Sequence, residues 1–264
     1  MPFLTLVILA VVQGLTEFLP VSSSGHLVLV HNLMGDGSAE KAWNENLMMD
    51  VAVHVGTLFA VLLYFNKDIV EMLFLRNMSL ILRLIIGSIP VVIAGYILHQ
   101  IKPEFLRSLE IMAWMTILFG ILLWVADLRE KRSKMVQEMT MMDAFLIGIA
   151  QCFALVPGTS RSGVTMTAAR FLGFTRTESA RFSLLLSIVA LTGAGVLLGK
   201  DVMETGNAEL TQDVFMAAGL AFVSALGSIA IMMRFLERFS FSVFATYRII
   251  LGCLLLYLIY GGIL

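Results

Sequence analysis

Charge is scarce in this sequence. Asp, Glu, Lys and Arg together make up 14% of the residues against 59% hydrophobic, and the mean hydropathy is +0.91. That balance excludes an ordinary soluble domain, and no nucleic-acid partner is expected. Cysteine is almost absent. Cys152 and Cys253 both lie in apolar segments, offer neither a disulfide framework nor zinc spacing, and read as packing residues. The first apolar run, Phe3 to Leu15, lacks the basic flank and small-residue cleavage site of a secretory signal, so it is expected to be retained. The 17 methionines are scattered rather than spaced as ligands and suit lipid-facing or gap-filling positions. A net charge of −1 says little about partners other than membrane lipids, because in such a chain the placement of charge matters more than its sum.

What is abundant is long apolar sequence. Six runs reach the length needed to span a bilayer, about 20 residues: Asp50 to Phe65, Leu80 to Leu98, Leu109 to Ala126, Arg181 to Leu198, Val214 to Met233 and Val243 to Ile263. Lys and Arg accumulate on the cytoplasmic side. They cluster at Lys67, Arg76 and Arg83, at Arg129, Lys131, Arg132 and Lys134, and at Arg234 and Arg238, whereas the connections at 36–46, 99–108 and 199–213 are poorer in them. Threading the spans through these assignments gives two halves of opposite topology. The remaining segments, 3–33 and 143–173, must then each leave by the face they entered, the first dipping from outside and the second from inside.

Both of these segments are broken in the middle, by Pro20-Val21-Ser22-Ser23-Ser24-Gly25 and by Pro157-Gly158-Thr159-Ser160-Arg161-Ser162-Gly163. One constant offset superposes Gln13 on Gln151, Ser22 on Ser160, Ser24 on Ser162 and Gly25 on Gly163. The expected fold is therefore a single all-α polytopic membrane domain, residues 1–264, with about six transmembrane helices and two re-entrant helical hairpins arranged as inverted-topology repeats, about 1–127 and 140–264. Broken elements in such repeats meet near the bilayer midplane and form the binding site. Irregular backbone at that depth is tolerated only where protein or a wet cavity covers it.

Each turn feeds a helix N-terminus, whose free N–H groups and dipole favour an anion such as phosphate. Ser22, Ser24 and Gly25, with Thr159, Ser160, Ser162 and Gly163, are the candidate phosphate contacts. Arg161 adds a planar, permanently charged fork suited to phosphate oxygens. Glu17 supplies a carboxylate able to hold a divalent cation, and His26 an imidazole able to move a proton. Serine, histidine, carboxylate and arginine converging in one cavity point to phosphoryl transfer.

The stretches Gly14-Leu15-Thr16-Glu17-Phe18-Leu19-Pro20-Val21-Ser22-Ser23-Ser24-Gly25-His26 and Pro157-Gly158-Thr159-Ser160-Arg161-Ser162-Gly163 resemble the two signature motifs of the bacterial undecaprenyl-diphosphate phosphatase family, also known for bacitracin resistance. The resemblance extends over essentially the whole chain, including the Asp50 to Lys67 region and Phe244-Ala245-Thr246-Tyr247-Arg248. It implies removal of one phosphate from the C55 polyprenyl diphosphate left by cell-wall polymerisation. It also implies a multi-pass place in the bacterial cytoplasmic membrane; because the first hairpin dips from outside, where the polymerisation product is released, the site is expected to open to the periplasm. Carried over by position, it makes Glu17, His26, Ser160 and Arg161 the essential set, with Ser23 and Ser24 assisting. The family's first motif often carries two glutamates, and Gln13 stands here in place of the first; an amide can coordinate a metal or bond a phosphate but cannot act as a base. The expected mechanism clamps the diphosphate with Arg161, backbone N–H groups of both turns and a divalent cation, magnesium or calcium, held by Glu17. His26 is the proton-transfer group or the nucleophile, with Ser23 as the competing nucleophile.

Duller explanations stand beside these. The serines could serve close helix packing or capping, and Glu17 could be a structural partner for Arg161. His54 and Gln151 join Gln13 and Arg248 as secondary candidates, Arg248 being either a contact to the phosphate region or a snorkelling anchor. His31 and His99 lie toward span ends and carry no expected chemistry. The same architecture would serve a transporter or lipid flippase that binds an anionic polyprenyl phosphate without cleaving it. A homodimer is compatible with the sequence, which does not demand one.

Overall fold

A computed structural model describes residues 3–33, 47–101, 106, 108–128, 133–205 and 212–263. Among these the secondary structure is helical, apart from one isolated bridge between Lys134 and Phe174. The helices are α1 (Phe3–Thr16), α2 (Ser23–Leu33), α3 (Leu47–Tyr64), α4 (Asn66–Leu73), α5 (Met78–Ile101), α6 (Leu109–Asp127), α7 (Met141–Gln151), α8 (Arg161–Phe171), α9 (Arg176–Thr205), α10 (Gln212–Leu236) and α11 (Ser242–Tyr260). Helices α5, α6, α9, α10 and α11 are long and apolar enough to cross a membrane, and α3 with α4 forms a further candidate, bent by 83°. The chain is an all-α, multi-pass membrane protein.

The expected spans and both broken segments are recovered, with differences at their ends. Helix α9 begins at Arg176 rather than Arg181 and runs to Thr205, so its charged first turns were discounted by hydropathy alone. The expected loop at 66–83 contains α4, whose Ile69 and Met72 pack on the core while Arg181 ties its Asp68 to α9. Lys41, Lys102, Arg107, Arg129, Lys131 and Arg132, and the side chain of His31, lie outside the described residues. Cys152 is partly buried and Cys253 is exposed on the surface of the helical bundle; both are free thiols.

Packing follows a repeated scheme. Helix α1 lies on α10, and α7 on α5; α3 packs on α10, and α9 on α5; α3 and α9 meet each other, as do α6 and α11. Exchanging each helix of one half for its counterpart in the other leaves this set of partners unchanged. The contacts are close because small residues line them, a requirement for helices that cannot gain by leaving water. A Cβ on Gly14 would strike Ser224 and the Ala221 carbonyl of α10, and one on Gly148 would strike Gly87 of α5.

One end of the bundle is pinned by ionic groups. The buried Asp127 carboxylate at the end of α6 accepts from Arg176 Nε at 2.8 Å and pairs with Arg170 Nε at 3.1 Å. Its other oxygen accepts the Phe241 N–H at 2.8 Å. Lys134 reaches Asp143 at 2.6 Å, and Asp143 also closes a capping box with Thr140 that starts α7. These contacts hold the end of α8 and the entries of α7, α9 and α11 in register and thereby fix where the second broken hairpin begins and ends.

Candidate active site

The two turns are built alike. Helix α1 stops ahead of Pro20, and α7 passes through a 3-10 turn, Cys152–Leu155, before Pro157. Proline lacks the N–H that would continue either helix. Each chain then reverses through a serine in the left-handed region, Ser22 at φ 73° and Ser160 at φ 67°. Non-glycine residues rarely adopt this conformation, and it costs about 1–2 kcal/mol. The Ser160 hydroxyl offsets part of that cost by capping α8, accepting the Gly163 N–H at 3.2 Å.

The serine hydroxyls knit the turns to themselves and to each other. Ser22 Oγ pairs with Ser24 Oγ at 3.1 Å, and Ser160 Oγ with Ser162 Oγ at 3.2 Å. Across the interface the Gly158 N–H donates to Ser24 Oγ at 3.2 Å, and Ser162 Oγ donates to the Leu19 carbonyl at 2.9 Å. The Ser24 and Ser162 hydroxyls thus form a reciprocal clasp between the hairpins, while those of Ser22 and Ser160 bond within their own turns. The Gly163 N–H, expected to be open to phosphate, is used by the cap. Gly25 faces α11, where a Cβ would lie 3.4 Å from Leu255 and 3.6 Å from Leu251. Ser23 differs: its hydroxyl makes no hydrogen bond among the described residues.

Glu17 and Arg161 come together from opposite halves. Arg161 Nη2 donates to Glu17 Oε1 at 3.2 Å, and Gln13 Nε2 donates to the other oxygen at 2.8 Å. The guanidinium also donates to the Ser183 carbonyl at 3.3 Å and lies over the Phe18 ring at 5.8 Å. The structural pairing of Glu17 with Arg161 therefore exists, and it holds the carboxylate at the clasp. His26 Nδ1 bonds the Ser22 carbonyl at 2.7 Å, while its Nε2 bonds the Tyr247 hydroxyl at 2.5 Å.

Arg248 is fully buried rather than snorkelling. It donates from Nη2 to the carbonyls of Gly158 at 2.9 Å and Thr159 at 2.8 Å, and from Nε to Thr116 at 3.2 Å. Its Nη1 has no hydrogen-bond partner and lies against Gly163, where a Cβ would collide with it. Glycine is needed there for the approach of the charge. Two guanidinium groups and one carboxylate leave this cluster with one positive charge in excess, the balance an anion would complete.

Several buried polar atoms have no hydrogen-bond partner, among them Gln13 Oε1, both amide atoms of Gln151, Thr159 Oγ1 and Arg248 Nη1. Each such group costs about 1–3 kcal/mol if left unmet. Those of Gln13, Thr159 and Arg248 belong to residues bonded into the clasp, which fits a polar ligand. His54 lies on α3, its carbonyl accepting from Thr57 at 3.0 Å, and is not among the groups these bonds join. Tyr247, Phe18 and Ser183 were not singled out from sequence; for Tyr247 the available signal was its place beside Arg248 in a span.

Residues 6–254 match the family model described as bacitracin resistance protein BacA. The chain belongs to that family. The undecaprenyl-diphosphatase of Ruegeria pomeroyi is 43% identical over 268 residues, covering 97% of this chain and 98% of that relative. The undecaprenyl-diphosphatase of Hahella chejuensis is 41% identical over 272 residues, covering 98% and 99% respectively. Both serine turns, 20–25 and 157–163, fall within the matched residues.

The donors also bear on a cation. Among the described residues no group of three or more His, Cys, Asp or Glu is placed to hold a metal. Glu17 nonetheless retains lone pairs, and the orphaned Gln13 Oε1 belongs to the amide bonded to it. That pair fits the one or two protein oxygens through which magnesium is held when substrate phosphates and water supply the rest. It does not fit an all-protein cage.

Proposed function

We propose that this protein is an undecaprenyl-diphosphate phosphatase, hydrolysing the terminal phosphate of a C55 polyprenyl diphosphate to regenerate the monophosphate lipid carrier, with resistance to bacitracin as a consequence. The observation that carries the reading is the convergence of Glu17, Arg161, His26 and Ser23 at one clasp between two broken hairpins, in a cluster with positive charge in excess. Membership of the family supplies the substrate class.

In this reading the excess charge of Arg161 and Arg248 draws in the diphosphate. The Arg161 fork binds its oxygens, and Gln13 and the guanidinium hold Glu17 in place. A divalent cation, magnesium or calcium, would be held by Glu17 and the Gln13 amide oxygen and would neutralise phosphate charge. Ser23 Oγ is the nucleophile and His26 the eventual proton acceptor. The Oγ–P bond forms as the bridging anhydride P–O bond breaks, and the prenyl monophosphate leaves as an anion. Water then cleaves the phosphoserine. His26 is a poor nucleophile here because both ring nitrogens are already bonded.

The packing scheme supports two inverted repeats, and the basic loops support a cytoplasmic-membrane orientation with the first hairpin entering from the periplasmic side, where the polymerisation product is released. The prenyl tail would leave sideways into lipid.

The test is phosphate release from prenyl diphosphates by the detergent-solubilised chain, with Glu17→Ala, His26→Ala and Arg161→Ala. Release by the parent and loss in all three folded variants is expected. A folded parent that binds the diphosphate without cleaving it under any metal condition would overturn the reading.

A further inference from the structure

The environment of His26 constrains how it can move a proton. The Ser22 carbonyl can only accept a hydrogen bond, so the ring nitrogen 2.7 Å from it, Nδ1, carries hydrogen. In the neutral imidazole Nε2 then has a single acceptor lone pair. Tyr247 occupies it: the hydroxyl lies 2.5 Å from Nε2, and the two rings are nearly parallel, 10° apart with centroids at 5.5 Å. The contact joins α2 to α11. Gly25 packs on the same helix, facing Leu251 and Leu255 one and two turns beyond Tyr247.

A base whose only lone pair is already occupied cannot take a proton directly from another group. Either the occupant leaves or the proton passes through it. Tyr247 is held at its hydroxyl with its ring nearly parallel to that of His26, and its oxygen keeps lone pairs that can accept a hydrogen bond. Ser23 and His26, three residues apart at the start of α2, share the helix face on which this exchange would occur.

We propose that Tyr247 is the group through which His26 exchanges its proton. The inference rests on the phosphatase reading above. As Ser23 Oγ attacks the terminal phosphorus, its proton passes to Tyr247 Oη while the tyrosine's own proton passes to His26 Nε2. The tyrosine ends neutral and unchanged, and the imidazolium keeps Nδ1–H on the Ser22 carbonyl. In the second step the proton returns by the same route to the serine oxygen as water displaces it from phosphorus and the water's surplus proton leaves with phosphate.

The test is Tyr247→Phe, which keeps the stacked ring and removes only the hydroxyl, compared with His26→Ala in the same membrane-extracted chain. Positioned acid–base groups contribute about 100-fold to 10,000-fold, so Tyr247→Phe is expected to lower kcat at least about 100-fold. KM should stay within about twofold. With 15N-labelled histidine, the His26 Nε2 resonance should move toward that of an unbonded imine nitrogen, a readout independent of turnover. If Tyr247→Phe keeps kcat within about threefold of the parent while His26→Ala is inactive, the relay is wrong and the tyrosine is a displaceable plug. An unmoved Nε2 resonance overturns it equally. If His26→Ala retains activity, the phosphatase reading of this histidine fails first and the relay falls with it.

Discussion

Ser22 and Ser160, at corresponding places in the two halves, hold the same left-handed backbone, φ 73° and 67°. The strain is kept twice, and in both hairpins it turns the chain so that the next residues open a helix at the clasp. Because Ser160 also caps α8, its two roles can be separated. Ser160→Ala keeps the strain and loses the cap, at about 0.5–2 kcal/mol. Ser160→Gly loses the cap but relieves the strain. Thermal melting in detergent should therefore find the glycine variant more stable than the alanine variant by about 1 kcal/mol.

The Glu17–Arg161 pair offers a way to distinguish support from chemistry. Glu17→Gln leaves a largely buried guanidinium without its anion, a loss of about 3–5 kcal/mol. Adding Arg161→Met should recover most of that stability. Phosphate release should stay at background in both the single and the double variant. Recovery of activity in the double variant would mean that the pair only supports the fold.

Gln13 sets the expected response to metal. Chelation should abolish phosphate release, and added magnesium or calcium should restore it. Gln13→Glu places a second carboxylate beside Glu17, so half-maximal activity should require about tenfold less cation, while the lost amide donor leaves two carboxylates to repel each other when cation is withdrawn. Titration of phosphate release and of the melting temperature against cation concentration checks both.

Arg248 acts on the second turn from beneath. Arg248→Met removes the donor shared by the carbonyls of Thr116, Gly158 and Thr159; the Gly158 carbonyl keeps the Thr116 hydroxyl, and the loss should cost about 3 kcal/mol in total. Arg248→Lys keeps a charge but cannot reproduce the fork. It should lose less stability than the methionine variant and still raise KM for the diphosphate, measured in the same release assay.

The resemblance in sequence and the geometry meet at particular residues. Broken apolar segments with Pro20 and Pro157 near their centres were legible because proline and clustered serine interrupt hydropathy locally. Glu17, Arg161 and His26 stood out because charge at membrane depth is costly and needs a partner. Helix α4 was missed because its mixed charged and apolar residues resemble a loop to a test of span length. The start of α9 at Arg176 was missed for a related reason: Glu178 and Arg181 are satisfied by the Val136 N–H and by Asp68, partners no local pattern reveals.

By itself the sequence determined the membrane class, the two broken apolar segments and the residue types at their turns, since each depends on local composition and periodicity. Tertiary structure alone decided what those groups do. The Ser24 and Ser162 hydroxyls expected on phosphate clasp the hairpins together; Arg248 turns inward to carbonyls rather than snorkelling; Tyr247 takes the His26 lone pair. Those outcomes depend on contacts between residues as far apart as 26 and 247. Which donor meets which acceptor at that separation is set by the packing of whole helices, and neighbouring residues carry no record of it.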